Sequence, residues 1–192
     1  MSSDESKALA REFKTQIRLL GGAIAIMWIL EFVDTIFLGQ ALNRYGIHPR
    51  EISGLWGILW MPFLHGGFPH LIANTVPFLT LGWFVMLQDT ADFLFVTVVT
   101  TLLGGLGVWL IGASNSVHIG ASGLVFGYLG FLISRGFFQR NFMSIALSLF
   151  VGFFYGGLIW GILPTHPFIS WEGHFCGFVS GAIAAKVLAE KK

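Results

Sequence analysis

The sequence predicts an all-α membrane protein of six transmembrane helices, and three observations carry that expectation. A mean hydropathy of +0.75 accompanies 55% hydrophobic and only 11% charged residues in a chain of 192, a balance outside that of soluble globular domains. The apolar residues fall into long runs, and a helix needs about 20 of them to cross roughly 30 Å of hydrocarbon, so the chain has room for about six spans and no second domain. Finally, the polar residues that interrupt these runs gather in three stretches, His65 to Asn74, His118 to Gly127 and Glu172 to Gly181. Each stretch lies near the start of an apolar segment, and alternate segment ends share a side of the membrane, so the three can converge.

Composition excludes other classes. A net charge of +1 gives no basis for a nucleic-acid partner. The lone Cys176 rules out an internal disulfide and leaves the redox compartment unread. Residues 1–17 mix Asp4, Glu5 and Glu12 with Lys7, Arg11 and Lys14, which suits neither a cleavable signal peptide nor a transit peptide. They read as a cytoplasmic N-terminal segment, a short surface helix, ahead of one membrane domain over 18–192.

The first span is expected from about Arg18 to Leu38. Residues 39 to 66 are mixed: Asn43 to Gly46 and His48 to Arg50 are turn-rich, while Leu55 to Pro62 is apolar but too short to cross. This first loop is expected to lie in the membrane interface, where Trp56 and Trp60 are at home. A second span runs from near Pro69 to Leu87, with His70 and Asn74 one turn apart, and a tight turn at Gln88 to Asp92 leads into a third from about Phe93 to Ile111. After a polar loop at 112 to 119, the fourth runs from about Gly120 to Ser134. It is short, so its start lies below the membrane surface, where irregular backbone is tolerated only beside protein or a watery cavity. Arg135 and Arg140 bracket the next turn, a fifth span follows from about Phe142 to Leu163, then a loop of Pro164, Thr165, His166 and Pro167, and a sixth span from Trp171 to Leu188.

Basic residues favour the cytoplasmic side. With the N-terminus inside, Lys7, Arg11, Lys14, Arg18, Arg135, Arg140, Lys186, Lys191 and Lys192 fall inside, and only Arg44 and Arg50 outside. Both termini are therefore expected in the cytoplasm, and the starts of the second, fourth and sixth spans together at the outer face.

Ser122 stands between glycines at Gly120 and Gly123, and serine becomes a useful nucleophile only beside a base. His174 is the best candidate base. Its span carries small residues at Gly173, Gly177 and Gly181, the fourth span carries Gly123 and Gly127, and such faces let two membrane helices approach closely. Ordinary helix packing is the competing explanation for an isolated pair of glycines. Its force is reduced here because Ser122 and His174 lie at like ends of the two spans. Attack on an amide creates an oxyanion that needs preorganised donors. His70 and Asn74 supply two on one helix face, and the backbone N–H of Ser122 at a helix start is a third. Phe126, one turn beyond Ser122, shares its face and is placed to pack on the imidazole, with lipid-facing filler as the alternative.

Glu172 lies two residues from His174, about 200° around a helix, so the site reads as a dyad without a third carboxylate. His48, His118 and His166 read as loop residues that cap or meet solvent, His65 as a brace for the loop around His70, and Cys176 as a small buried residue. Nothing in the pattern calls for a metal or a cofactor. Two rival functions stay open: a catalytically silent protein that binds membrane-protein clients, and a small transporter. The transporter would spread polar groups through membrane depth, whereas here they cluster at one end apart from Glu31 and Asp34. A soluble hydrolase elbow is excluded by Leu124, where a glycine is required.

Taken in order, His65, His70 and Asn74, then Gly120, Ser122 and Gly123, then His174, Gly177 and Gly181, over six spans, resemble the rhomboid family of intramembrane serine proteases. The resemblance covers roughly residues 19 to 189. It implies a protease domain over 18–192 with a Ser122–His174 dyad, oxyanion assistance from His70 and Asn74, and Gly120, Gly123 and Phe126 packed near the dyad. It also implies transmembrane protein substrates, single-span and cut near the outer face, often at small residues in helix-destabilising contexts. Membrane lipids are the remaining expected partners, and the expected location is a bacterial cell membrane. The chain departs from the family in having Phe126 where some members have tyrosine, and in offering Arg50 and Trp56 only as loose counterparts of a first-loop Trp-Arg pair.

Glu31 and Asp34 have no part in that pattern. Carboxylates in a span are costly unless paired, protonated or facing protein or water. Asp34 is expected to tether the first loop, through Arg44, Arg50 or a backbone N–H, or else to reach the headgroups. Glu31 is expected to accept hydrogen bonds deeper in the bundle.

Overall fold

The computed structural model describes residues 3–87, 89–164 and 170–190. Among them the architecture is all-helical, with no strand and a single isolated β-bridge between Ile47 and His118. Helix α1 (Ser3–Val33) runs into a π-turn at Asp34–Leu38. It is followed by α2 (Phe68–Met86), α3 (Thr90–Ile111, with a π-turn at Thr100–Gly104), α4 (Ser122–Gln139), α5 (Phe142–Tyr155, extended by a 3-10 turn at Gly156–Ile162) and α6 (Trp171–Glu190). The expected turn at Gln88 and loop at 165 to 167 fall partly or wholly outside the described residues.

Local sequence sets the ends of these helices. Pro69 occupies the first turn of α2, where a missing N–H costs nothing. Asp89 accepts the N–H of Ala91 at the start of α3 (2.8 Å) and Asn141 that of Ser144 at the start of α5 (2.9 Å). Ser170 does the same for α6, accepting from Gly173 at 3.1 Å.

Among the described residues, four segments are long and apolar enough to cross a membrane: Ser3–Leu38, Phe68–Met86, Thr90–Ile111 and Phe142–Ile162. Helices α4 and α6 fall outside that set for a physical reason. Of the 18 residues of α4, 12 are buried, so its neighbours are protein rather than lipid and its sequence is free to be less apolar. α4 and α6 meet backbone to backbone. A side chain at Gly177 would collide with the carbonyl of Gly123, one at Gly181 with that of Gly127, and one at Gly130 with that of Phe178. Helix α4 is thus the axis on which the others pack, and Ser122 is its first residue.

The fourth helix ends at Gln139 rather than near Ser134. Arg135 is the cause: only 1% exposed, it is paired with Asp92 of α3 at 2.8 Å and donates to Gln139 at 2.8 Å, so its charge is neutralised inside the bundle and the helix continues past it. Arg135 is therefore not a solvent-facing cation, and the count of basic residues that suggested a cytoplasmic N-terminus is one shorter than it looks.

The first loop is ordered by hydrogen bonds to the end of α3 and to the segment before α4. Arg50 donates to the carbonyls of Leu110 (3.0 Å) and Gly112 (2.8 Å) and to Ser114 (2.6 Å), and the indole of Trp109 donates to the Glu51 carbonyl at 2.7 Å. Arg44 instead lies against Tyr45. Asp34 accepts from neither arginine: its Oδ1 takes the backbone N–H of Leu42 at 2.9 Å, so of the three expected tethers the backbone one is present. Glu31, 2% exposed, accepts from Thr35 (2.6 Å) and Gln40 (3.1 Å), and the π-turn that follows brings those donors around to it.

Candidate active site

Ser122, His174, His70, Asn74 and Phe126 all line one cavity of about 1100 Å3. Each comes from the start of a helix: His70 and Asn74 from α2, Ser122 and Phe126 from α4, His174 from α6. The glycine seam between α4 and α6 brings the last two together.

The imidazole of His174 is fixed on two sides. Its ring stacks on Phe126 with centroids 4.1 Å apart and planes within 8°. Its Nδ1 lies 2.9 Å from the Gly161 carbonyl; a carbonyl only accepts, so Nδ1 carries the proton and Nε2 keeps its lone pair. Gly161 has to be glycine, since a side chain there would lie 2.9 Å from Phe126 and 3.1 Å from Nδ1. This backbone acceptor does the orienting that a third carboxylate would otherwise do. No residue spacing signals it, because the acceptor is a main-chain oxygen in a 3-10 turn. Ser122 makes no hydrogen bond to His174, a gap common in sites without substrate.

The His70 imidazole accepts the backbone N–H of Gly66 at Nδ1 (3.2 Å), so its Nε2–H is free to donate. Asn74 gives one amide hydrogen to the His70 carbonyl (3.2 Å) and has a second available. The two donors converge beside Gly120: a methyl group on that glycine would lie 2.7 Å from His70 Nε2 and 3.7 Å from Asn74 Nδ2. With φ at +113°, Gly120 also holds a conformation that side-chain-bearing residues rarely adopt. Gly123 leaves room for the Met61 side chain, whose terminal methyl would lie 3.0 Å from an added Cβ.

The segment leading to Ser122 is pinned at each step. Backbone bonds join His118 and Ile47 in both directions at 3.0 Å, Gly120 donates to the Met61 carbonyl at 2.9 Å, and Ala121 donates to Nε2 of His65 at 3.3 Å. His65 thus braces the turn before Ser122 as well as meeting His70 edge-on, 5.1 Å between centroids. Burial first, and the His70 imidazole next, push His65 down to about pKa 4, against the pull of the Phe63 carbonyl. It is neutral, as an acceptor of an N–H must be.

His118, expected to cap or to meet solvent, does not meet solvent. It is buried, with Nδ1 2.6 Å from Ser170 Oγ and Nε2 2.8 Å from Ser116 Oγ. Ser170 is the residue that caps α6, so the loop before Ser122 is tied to the cap of the helix bearing His174. Burial lowers the His118 pKa, with Glu172 opposing. Sequence alone offered no pairing for these residues, because Ser170 is 52 positions away. His48 bonds the Arg44 carbonyl at 2.8 Å and Cys176 is buried; His166 lies outside the described residues.

A family model described as the Rhomboid domain matches residues 53–191. An uncharacterized protein of Mycobacterium tuberculosis is 41% identical over 174 residues, 86% of this chain and 72% of that protein. An uncharacterized protein of Mycobacterium leprae is 38% identical over 86% of this chain and 68% of its own length. RHOMBOID-like protein 5 of Arabidopsis thaliana is 28% identical over 77% of this chain and 48% of its own length. The chain is an integral membrane protein, and it belongs to the rhomboid family.

Proposed function

We propose that this chain is an intramembrane serine endopeptidase. The observation that carries the reading is the His174 imidazole, oriented by the Gly161 carbonyl and Phe126 so that Nε2 is the basic nitrogen, on the wall of the cavity that also holds Ser122. In the reaction, Ser122 Oγ attacks the substrate carbonyl while Nε2 takes its proton. The Nε2–H of His70, the free amide hydrogen of Asn74 and the Ser122 backbone N–H meet the oxyanion. His174 then protonates the leaving amine. Water enters, gives a proton to Nε2 and adds to the acyl-serine, and collapse of that adduct returns the proton to Ser122. Every group in this sequence belongs to the chain, the substrate or water, and the reading assigns no step to a metal or cofactor.

The wider reading has six spans, α4 and α6 included, over 18–192, with 1–17 and the C-terminus cytoplasmic and the first loop at the outer interface. The exposed Ile52, Trp56 and Trp60 suit an interfacial loop. The substrates are single-span proteins cut near the outer face of a bacterial cell membrane. The missing Ser122–His174 bond is compatible with a second reading too, a catalytically silent relative that binds clients.

Cleavage of a single-span reporter in proteoliposomes separates the two. Ser122→Ala and His174→Ala each abolish cleavage, the double variant is no worse than either single one, and Asn74→Ala is slowed about 10²- to 10³-fold. Intact reporter with the unaltered protein, across reporters differing in helix stability, favours the silent relative.

A further inference from the structure

The cavity holds one formally charged side chain, and the chemistry above gives it no part. Glu172 lines the wall that also carries His118 and Ser170, and no lysine or arginine lines the cavity with it among the described residues. It is only 7% exposed, yet it accepts no hydrogen bond and meets no cation among those residues. The hydroxyl and imidazole groups of Ser170, His118 and Ser116 have no donors to spare. Ser170 Oγ–H is given to His118 Nδ1, His118 Nε2–H to Ser116 Oγ, and Ser116 Oγ–H to the Ala113 carbonyl at 2.6 Å. The Glu172 oxygens are not fully buried, yet a carboxylate so largely enclosed without donors is unfavourable. The start of α6 offsets part of that through the helix dipole, but a carboxylate serving the dipole alone could remain in water.

We propose that Glu172 is a cation subsite of the substrate cleft, taking the ammonium or guanidinium of a lysine or arginine in the segment being cut. The inference rests on the protease reading and adds a substrate class to it: membrane proteins with a basic residue flanking the scissile bond. Glu172 precedes His174 by two residues, roughly 3 Å along the helix axis, so the basic residue lies close to the bond that breaks. His118, His174 and Cys176 are the titratable groups coupled to it by charge, and none supplies a fixed positive charge.

The test walks a single lysine through the positions on either side of the scissile bond of a reporter, with norleucine at the same position as control, and reads the lysine-to-norleucine ratio of kcat/KM. In the unaltered protein the ratio reaches about tenfold at one position or two adjacent ones, and it falls to about one in Glu172→Gln. A ratio within twofold everywhere overturns the proposal. So does a preference that survives Glu172→Gln, or a variant that slows both substrates equally, which would mean that Glu172 acts on His174. A binding arm uses Ser122→Ala and the same peptides, so it reads the subsite even if no reporter is cut. Tighter binding of the lysine peptide, lost on adding Glu172→Gln, supports the subsite while absent cleavage counts against the protease. Equal binding of both peptides overturns the subsite whatever the cleavage result.

Discussion

The two ends of α4 are anchored by opposite means. At the Gln139 end a buried ion pair, Arg135 with Asp92 at 2.8 Å, ties α4 to α3. At the Ser122 end the bonds to the residues just before Ser122 are uncharged: the Ile47, Met61 and His65 contacts hold the backbone, and a shared cap joins His118 to Ser170. The difference follows from what each end encloses. A packed end can bury opposite charges against each other, whereas the anchors at the open end hold the backbone through uncharged groups and need no buried ion pair. Between the two ends runs the glycine seam with α6, which fixes the distance between Ser122 and His174.

Breaking the seam has the largest expected effect. Gly181→Val places a branched side chain against the Gly127 carbonyl, and the two helices can only separate. Little folded protein is expected, as read by size-exclusion profile and thermal melting in detergent; a normal melt would show that the helices are not in backbone contact. Next comes the charged anchor. Arg135→Ala leaves the Asp92 carboxylate buried without its cation and is expected to cost about 3–5 kcal/mol, while Arg135→Met with Asp92→Leu costs less than Arg135→Ala alone. Equal losses from the two would mean that the pair contributes nothing beyond its volume.

The uncharged anchor is tested by pH. His65 has a folded pKa of about 4 against 6.5 unfolded, so between those values the unfolded chain binds more protons and stability rises with pH. The contribution is complete above 6.5 and is lost as pH falls toward 4, by up to about 3 kcal/mol. His65→Gln keeps an acceptor for the Ala121 N–H but does not titrate. Melting of this variant is expected to fall less than that of the parent between pH 6.5 and 4, and identical slopes would place His65 in a less buried setting. The smallest effect is at the first loop. Asp34→Asn is expected to cost about 1–2 kcal/mol through the Leu42 N–H, and its combination with Arg50→Gln to be additive. A coupling above about 0.5 kcal/mol would restore the arginine tether.

What the sequence made legible was whatever has a period or a spacing. Long apolar runs marked α1, α2, α3 and α5, and glycines four apart in two runs marked the α4–α6 contact. The exceptions are instructive. The end of α4 was placed too early because Arg135 looks like a loop cation until Asp92, 43 positions away, is seen to neutralise it. Of the possible tethers for Asp34, a backbone N–H is invisible in a sequence while an arginine is conspicuous. His118 reads no more finely than a residue that caps or meets solvent, because its partner Ser170 is remote. Gly161 carried no signal, since what it contributes is a carbonyl that any residue has, in a place where only glycine fits.

The central claim is that Ser122 is a nucleophile activated by His174, and a fluorophosphonate probe tests it most directly because it reports on the serine without requiring the right substrate. The account predicts that the unaltered protein in proteoliposomes is labelled at Ser122, that Ser122→Ala is not labelled, that His174→Ala is labelled far more slowly, and that Asn74→Ala keeps substantial labelling. Absence of labelling in the folded parent protein, or equal labelling of Ser122→Ala, would contradict it.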